Sequence, residues 1–464
     1  MKEWLTDKDI IKISTIIFAL ILVVSLFVFQ YGVADNGDLT ARLLHLGLYD
    51  SDGASGSGGY AFKFGVGGNA GVLTTADIPY AIFTSFLSKD SYISVLIPAT
   101  IYILLLVAGF YLIVKNLISK YNWNNILLAV LLILIIGDVG YTAFLNTPYV
   151  NGAVYSYLVL AIGTFLWSAR EEGSKKAIIF AGISSVLFAG SSRITAWCGI
   201  VLAILFVRMI FVKKNNVQKV LCGILSLLIV FSSVYALLNI KTSDSDKYNS
   251  IFYGVALKDS NEATKLGFES EVATSLGGTS AFEEKAQDFM IKNDISEMVS
   301  PLSVAEYYLK NPSKLILNMK QVAQNSTMIT TDYLGYFKSS SSKLYQQPKL
   351  FNLYGNLKRR IIPANFYILS LLLLAFLAGT IFYRKKYASS DASKLTCDAL
   401  ICLVPCTFIS FFLPLIYSGF AQISFAMHLF NLLFDICVIS AVTGGTKLLW
   451  IRREALKEKF GVNQ

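Results

Sequence analysis

Long apolar stretches of roughly 20 residues, separated by polar turns, recur along this chain from one end to the other. A helix rises about 1.5 Å per residue, so each stretch is long enough to cross a hydrocarbon layer about 30 Å thick. Ten spans are expected, near 13–31, 92–114, 125–145, 153–169, 177–192, 194–212, 219–240, 363–383, 397–417 and 422–446. The fifth and sixth form one hydrophobic block, 177–212, too long for a single crossing and broken by Gly190-Ser191-Ser192-Arg193. Two long polar segments stand apart, 31–91 and 241–362. In the second, Leu302, Val304, Tyr307, Tyr308 and then Leu315, Ile316, Met319, Val322 repeat at helical spacing, divided by Asn311-Pro312. The pattern predicts an all-α polytopic membrane protein in three parts. A seven-helix module over 1–240 is followed by a loop region over 241–362 and a three-helix module over 363–464.

Composition strengthens this reading. The chain is 55% hydrophobic and 15% charged, whereas soluble domains carry about 25% charged residues. Its net charge of +10 would suit a nucleic-acid partner, but the basic residues are sorted by topology. Lys2, Lys8 and Lys12, then Lys115 and Lys120, Arg170, Lys175 and Lys176, Arg208 to Lys219, Arg384 to Lys394 and Lys447 to Lys459 fall on one side. The short turns of the other side carry only Arg193. That asymmetry predicts a cell-membrane protein with both termini cytoplasmic, the two polar segments outside, and no nucleic-acid partner. All six cysteines fall within predicted spans, so no disulfide framework is expected. Gly32-Val33-Ala34 resembles a signal-peptide cleavage site, but the apolar run before it is long for a signal peptide and is read as a retained span.

Against this background a few polar groups stand out. Asp35-Asn36-Gly37-Asp38 follows the first span directly, with Arg42 and His45 behind it. Asp-Asn-Gly-Asp is also good turn chemistry, which accounts for the asparagine and glycine. It does not account for a cation and one of only two histidines on the helical turns that follow. Charged groups at the edge of a membrane are costly and tend to mark function. On the same expected side lie Asp138, the turn with Asn151, Arg193, and His428 preceded by Gln422. Arg359-Arg360 is read as a lipid-headgroup contact and Asp435 as structural. The glycine-rich run from Gly53 to Gly71 is read as a mobile loop.

An acidic pair in the first outer loop resembles the GT-C superfamily of integral-membrane glycosyltransferases, and more narrowly the bacterial WsfD-like glycan hexosyltransferases. The segments carrying the likeness are Asp35-Asn36-Gly37-Asp38-Leu39 with Arg42, Asp138 through Asn151-Gly152, and Tyr248 to Gly254 with Lys258-Asp259-Ser260. Tyr308 to Pro312, Ile362-Pro363 and His428-Leu429-Phe430-Asn431 with Asp435 complete the set. The chain departs from the family in three places. Arg193 stands where lysine is usual, Gln422 where a carboxylate is commoner, and the Asn151 turn lacks an acidic residue behind the asparagine.

The resemblance implies sugar transfer from a polyprenyl-phosphate-linked donor to a glycan or lipid-linked glycan acceptor at the outer membrane face. Asp38, with Asp35 as second choice, would be the base. Arg42, His45, Asp138, Asn151, Arg193, Gln422 and His428 would contact substrate, with Arg193 on the donor phosphate. The second carboxylate orients Arg42 or binds a divalent cation, and the sequence leaves both open. Two other readings compete. A glycan polymerase or ligase shares the layout but relies on basic outer loops. A transporter or lipid flippase calls for matched halves and mid-membrane charges. The glycosyltransferase reading further expects Asp38, Arg193 and His428 to converge on one outward cavity.

Overall fold

The computed structural model describes residues 6–33, 39–49, 61–65, 74–88, 91–118, 122–170, 174–293, 295–331, 334–336 and 347–460. Ten long helices occupy the predicted hydrophobic stretches. They are α1 (Asp7–Val23), α2 (Leu96–Leu117), α3 (Asn122–Ile136), α4 (Val150–Arg170), α5 (Lys175–Ala189), α6 (Arg193–Val212), α7 (Asn216–Asn239), α8 (Phe366–Lys386), α9 (Asp391–Ser418) and α10 (His428–Phe460). Eight spans among the described residues are long and apolar enough to cross a membrane. A ninth is broken: Trp123–Ile136 and Val139–Asn146 meet at a bend of 50°. The remaining stretch, α5, has 15 residues and a length of only about 22 Å. The protein is an all-α, multi-pass membrane protein.

Local chemistry sets the helix ends. Thr6 caps α1 in a reciprocal box with Asp9, and Ser192 caps α6 in another with Thr195. That second box is why the 177–212 block divides where it does: Gly190 ends α5 and Ser192 starts α6 two residues later. Asn311-Pro312 likewise separates Pro301–Lys310 from Pro312–Asn325, proline being favoured in a first turn and barred from continuing the preceding one.

Helices α2 and α4 pack along their length, as do α6 and α7, and α4 and α5, while α9 touches α6, α8 and α10. One hydrophobic core runs without interruption from Phe18 and Phe110 in the bundle to Phe252, Tyr308 and Met319 in the 241–362 region. Two small sheets tie the loops together. Strand β1 (Tyr31–Val33) pairs antiparallel with β5 (Leu334–Tyr336), with Gly32 opposite Gly335. Strands β2 (Leu48–Tyr49), β3 (Ala61–Phe64) and β4 (Tyr92–Ser94) form the other, in that order. The middle of the glycine-rich run is therefore strand and not a mobile loop. Paired backbone needs only alternating contacts, and Phe62 fills the core beneath it. Gly65 follows the strand, its N–H donating to the Gly47 carbonyl at 3.3 Å, and the remainder of the run lies outside the described residues.

Candidate functional site

The two expected catalytic residues, Asp35 and Asp38, lie in 34–38, outside the described residues. What the structure defines is the chain on either side of them. Before them, β1 is held twice: by β5, and by Asn146, whose Nδ2 donates to the carbonyls of Leu26 (2.8 Å) and Tyr31 (3.0 Å). After them comes the short helix Leu39–His45. It is held by Arg42, whose Nε donates to the Pro148 carbonyl at 2.8 Å and whose Nη2 meets Asp77 Oδ1 at 2.5 Å. His45 Nε2 lies 3.1 Å from the other Asp77 oxygen.

Asp77 was not among the sequence candidates, and it organises this end of the protein. Its side chain is fully buried and also accepts from the Thr74 backbone N–H at 2.9 Å. Burial alone would raise its pKa, but the Arg42 guanidinium and the His45 ring outweigh it and hold the carboxyl at about 2. The turn around it is equally anchored. Tyr102 Oη donates to the Ala76 carbonyl (2.7 Å) and Tyr157 Oη to the Thr75 carbonyl (3.2 Å). Thr75 in turn reaches the α5–α6 turn: its N–H donates to the Gly190 carbonyl at 3.1 Å, and its hydroxyl bonds Ser191 and the Leu187 carbonyl. Arg42, His45, Asp77 and the turn that carries Arg193 thus share one end of the bundle. In the sequence, Asp77 sits in Thr74-Thr75-Ala76-Asp77-Ile78-Pro79, a helix-start pattern that masks its second role.

Arg193, the first residue of α6, donates through Nε to the Ile240 carbonyl and through Nη1 to the Thr242 hydroxyl. Its guanidinium carbon sits 5.5 Å from the centre of the Tyr417 ring. An arginine has five N–H donors, so three remain beyond these bonds. The residue joins the ends of α6, α7 and α9 while still presenting a cation.

The other candidates form a second group. Asp138 caps the helix Val139–Thr142: Oδ1 accepts from Gly140 N–H (2.8 Å) and Oδ2 from Gly355 N–H (2.9 Å). Expected as a substrate contact, it accepts here from one amide at the break in the third span and one on the helix Leu353–Ile361. His428 is 5% exposed, and its ring lies against Phe144 (4.3 Å between centroids), Tyr141 and Tyr155. Among the described residues its Nε2 has no hydrogen-bond partner. Phe144 also packs beneath β1 with Tyr31 and Val33, so His428 is one ring removed from the strand that enters 34–38. Gln422 adopts a left-handed backbone (φ 50°) at the start of Ile423–Ala426. Asn151 is half-buried in the first turn of α4.

Nearby is a network the sequence reading did not identify. Lys358, 1% exposed, places Nζ 2.7 Å from both Asp435 Oδ1 and Asn431 Oδ1. Asp435 also accepts from Tyr141 Oη at 2.5 Å and from Tyr354 Oη at 2.7 Å. Tyr141 touches the His428 ring, so the network abuts that group. Arg359 and Arg360, by contrast, are exposed.

Asp38, the centre of the expected outward cavity, lies outside the described residues. A cavity of about 830 Å³ lies among α2, α3, α4, α8, α9 and α10, and none of Arg42, His45, Arg193 or His428 lines it. Bulky aromatic side chains fill the space around His428 instead. Among the described residues, no group of three His, Cys, Asp or Glu side chains is placed to hold a metal ion.

No curated protein matches this sequence. Among solved structures, the Archaeoglobus fulgidus oligosaccharyltransferase in its apo form aligns over 100% of this chain and 53% of its own. The identity is 14% and the TM-score 0.41. The oligosaccharyltransferase AglB of the same organism, in complex with an inhibitory peptide and a dolichol-phosphate, aligns over 98% of this chain and 52% of its own. There the identity is again 14% and the TM-score 0.40. This chain spans about half the length of those proteins. The family model described as YfdI N-terminal transmembrane domain matches residues 1–461, nearly the entire chain, and the protein belongs to that family.

Proposed function

We propose that this protein is a GT-C-type membrane glycosyltransferase. It moves a hexose from a polyprenyl-phosphate sugar to a cell-surface glycan, or its lipid-linked precursor, at the outer face of the cell membrane. The observation that carries this reading is the rigid seating on both sides of residues 34–38. Strand β1 fixes the entry, and the Arg42–Asp77–His45 cluster fixes the exit. A carboxylate must be held close to its target to act as a base, and anchored chain on either side suits that need.

In this mechanism Asp38 accepts the proton of an acceptor hydroxyl, with Asp35 as the alternative base. The oxygen attacks the anomeric carbon from the side opposite the phosphate, a carbon–oxygen bond forms, and the bond to the phosphate oxygen breaks with inversion. The polyprenyl phosphate departs carrying the negative charge, which the free donors of Arg193 meet. Because Asp77 already orients Arg42, neither Asp35 nor Asp38 is needed for that task.

The test is transfer from a radiolabelled polyprenyl-phosphate hexose in membranes holding wild type, Asp38→Asn or Asp35→Asn at matched expression. Loss of at least 100-fold in the Asp38 variant is expected, as for removal of an essential base. Near-normal transfer by both variants would overturn the reading.

A further inference from the structure

The 830 Å³ cavity runs from the middle of the bundle, at Ile136 and Ile436, to the end that carries Arg170 and Lys447. Its lining comes from the end of α2, the length of α3, the second half of α4, much of α8, the first half of α9 and the middle of α10, with single contributions from α5 and a short stretch of α6. The walls are mostly apolar, represented by Leu132, Leu166, Phe376 and Leu400. Gly379 and Gly444 also line it, and a Cβ on either would meet no atom within 4 Å, so the space is open beside both helices.

Two cations border this apolar space, Arg170 from α4 and Lys447 from α10. Arg170 Nη1 donates only to the Ile118 carbonyl, at 3.3 Å. Among the described residues neither cation has a carboxylate partner. Of the two carboxylates α9 carries toward this end, Asp391 is exposed and Asp398 is already held by Arg208 and Arg384. Two like charges facing one apolar chamber favour an anion placed between them. A basic pocket between membrane helices suits a lipid headgroup phosphate.

We infer that this cavity binds an anionic phospholipid, with its headgroup phosphate between Arg170 and Lys447 and an acyl chain along Leu132, Phe376 and Leu400. The site is separate from the proposed reaction centre, and its occupant is a resident lipid and not the sugar donor. It wedges α4 against α10, joining the first and last parts of the helical bundle.

The experiment uses the full chain in mild detergent, with phosphatidylglycerol or phosphatidylcholine added in mixed micelles, read by thermal unfolding and by native mass spectrometry. Phosphatidylglycerol is expected to raise Tm by several degrees more than phosphatidylcholine and to remain bound at one per chain. The Arg170→Gln/Lys447→Gln variant should weaken apparent affinity at least tenfold. Gly444→Phe, which leaves both cations in place, should lose the bound lipid by filling the chamber. Equal stabilisation of the wild type by both lipids would overturn the inference and needs no variant to fold. Undiminished phosphatidylglycerol preference in the double variant, or a polyprenyl phosphate retained in place of phospholipid, would do the same.

Discussion

A single carboxylate, Asp77, does more to shape the candidate site than most residues the sequence suggested. Its buried pair with Arg42 fixes a helix that begins one residue after Asp38. Breaking a buried ion pair by removing one partner leaves the other charge stranded, at a cost of about 3 kcal/mol. Asp77→Asn should therefore lower the Tm of the purified protein and reduce sugar transfer, even though Asp77 is no base. The pH dependence has a definite sign. A carboxyl held at about 2 in the folded protein, against about 3.9 unfolded, adds stability above pH 4. That stability drains away as pH falls toward 2. Thermal unfolding at pH 6 and pH 3 should show this loss in the wild type and a smaller one in Asp77→Asn. The sequence hid the residue because a carboxylate before Ile-Pro already has a reason to be there. Asp138 is the converse: conspicuous within a hydrophobic run, it turns out to cap backbone.

Helices depend on local rules, and those rules were legible. The run lengths gave ten stretches, and the breaks at Gly190-Ser191-Ser192 and Asn311-Pro312 fell where capping and proline chemistry put them. What the runs could not reveal is closeness between helices. A Cβ on Gly109 of α2 would sit 2.7 Å from the backbone of α4 at Val159 and Leu160, and Gly163 of α4 is as tight against Gly109. Without a hydrophobic force between helices in lipid, such close backbone contact is what holds them together. Gly109→Leu should push α2 and α4 apart and destabilise the bundle by about 1–3 kcal/mol. Thermal unfolding in detergent will measure this, and an unchanged Tm would count against the proposed role of the contact. The third span is a further case. It reads as one stretch over 125–145, yet it bends by 50° at Asp138, where the carboxylate takes up the Gly140 amide and the Phe351 carbonyl takes up that of Val139.

At the scale of the whole molecule, the 241–362 region is bolted to the bundle by a buried charge. Lys358 on the helix Leu353–Ile361 reaches Asp435 of α10, with Asn431, Tyr141 and Tyr354 completing the shell. Lys358→Met should cost about 3–5 kcal/mol, because Asp435 is left charged and buried. Lys358→Met with Asp435→Leu should recover much of that loss, a coupling readable in a double-mutant cycle. Independent effects of the two substitutions would dissolve the pairing. The residue was invisible in Lys358-Arg359-Arg360, which reads as one basic run at a membrane edge. A helix turns successive side chains in different directions, so Lys358 points inward while its two neighbours stay exposed.

The amino-acid sequence by itself determined the all-α, multi-pass architecture, because a hydrophobic run long enough to cross a membrane is a property of consecutive residues. It also marked Arg42, His45, Arg193 and His428 as unusual, because polar groups are scarce in such a chain. Only the tertiary structure decided their partners. Arg42 meets a carboxylate 35 positions away, and Tyr141 meets Asp435 at a separation of 294. Pairings over such distances follow from how helices pack in three dimensions, and no local pattern encodes which buried charge will find which neighbour.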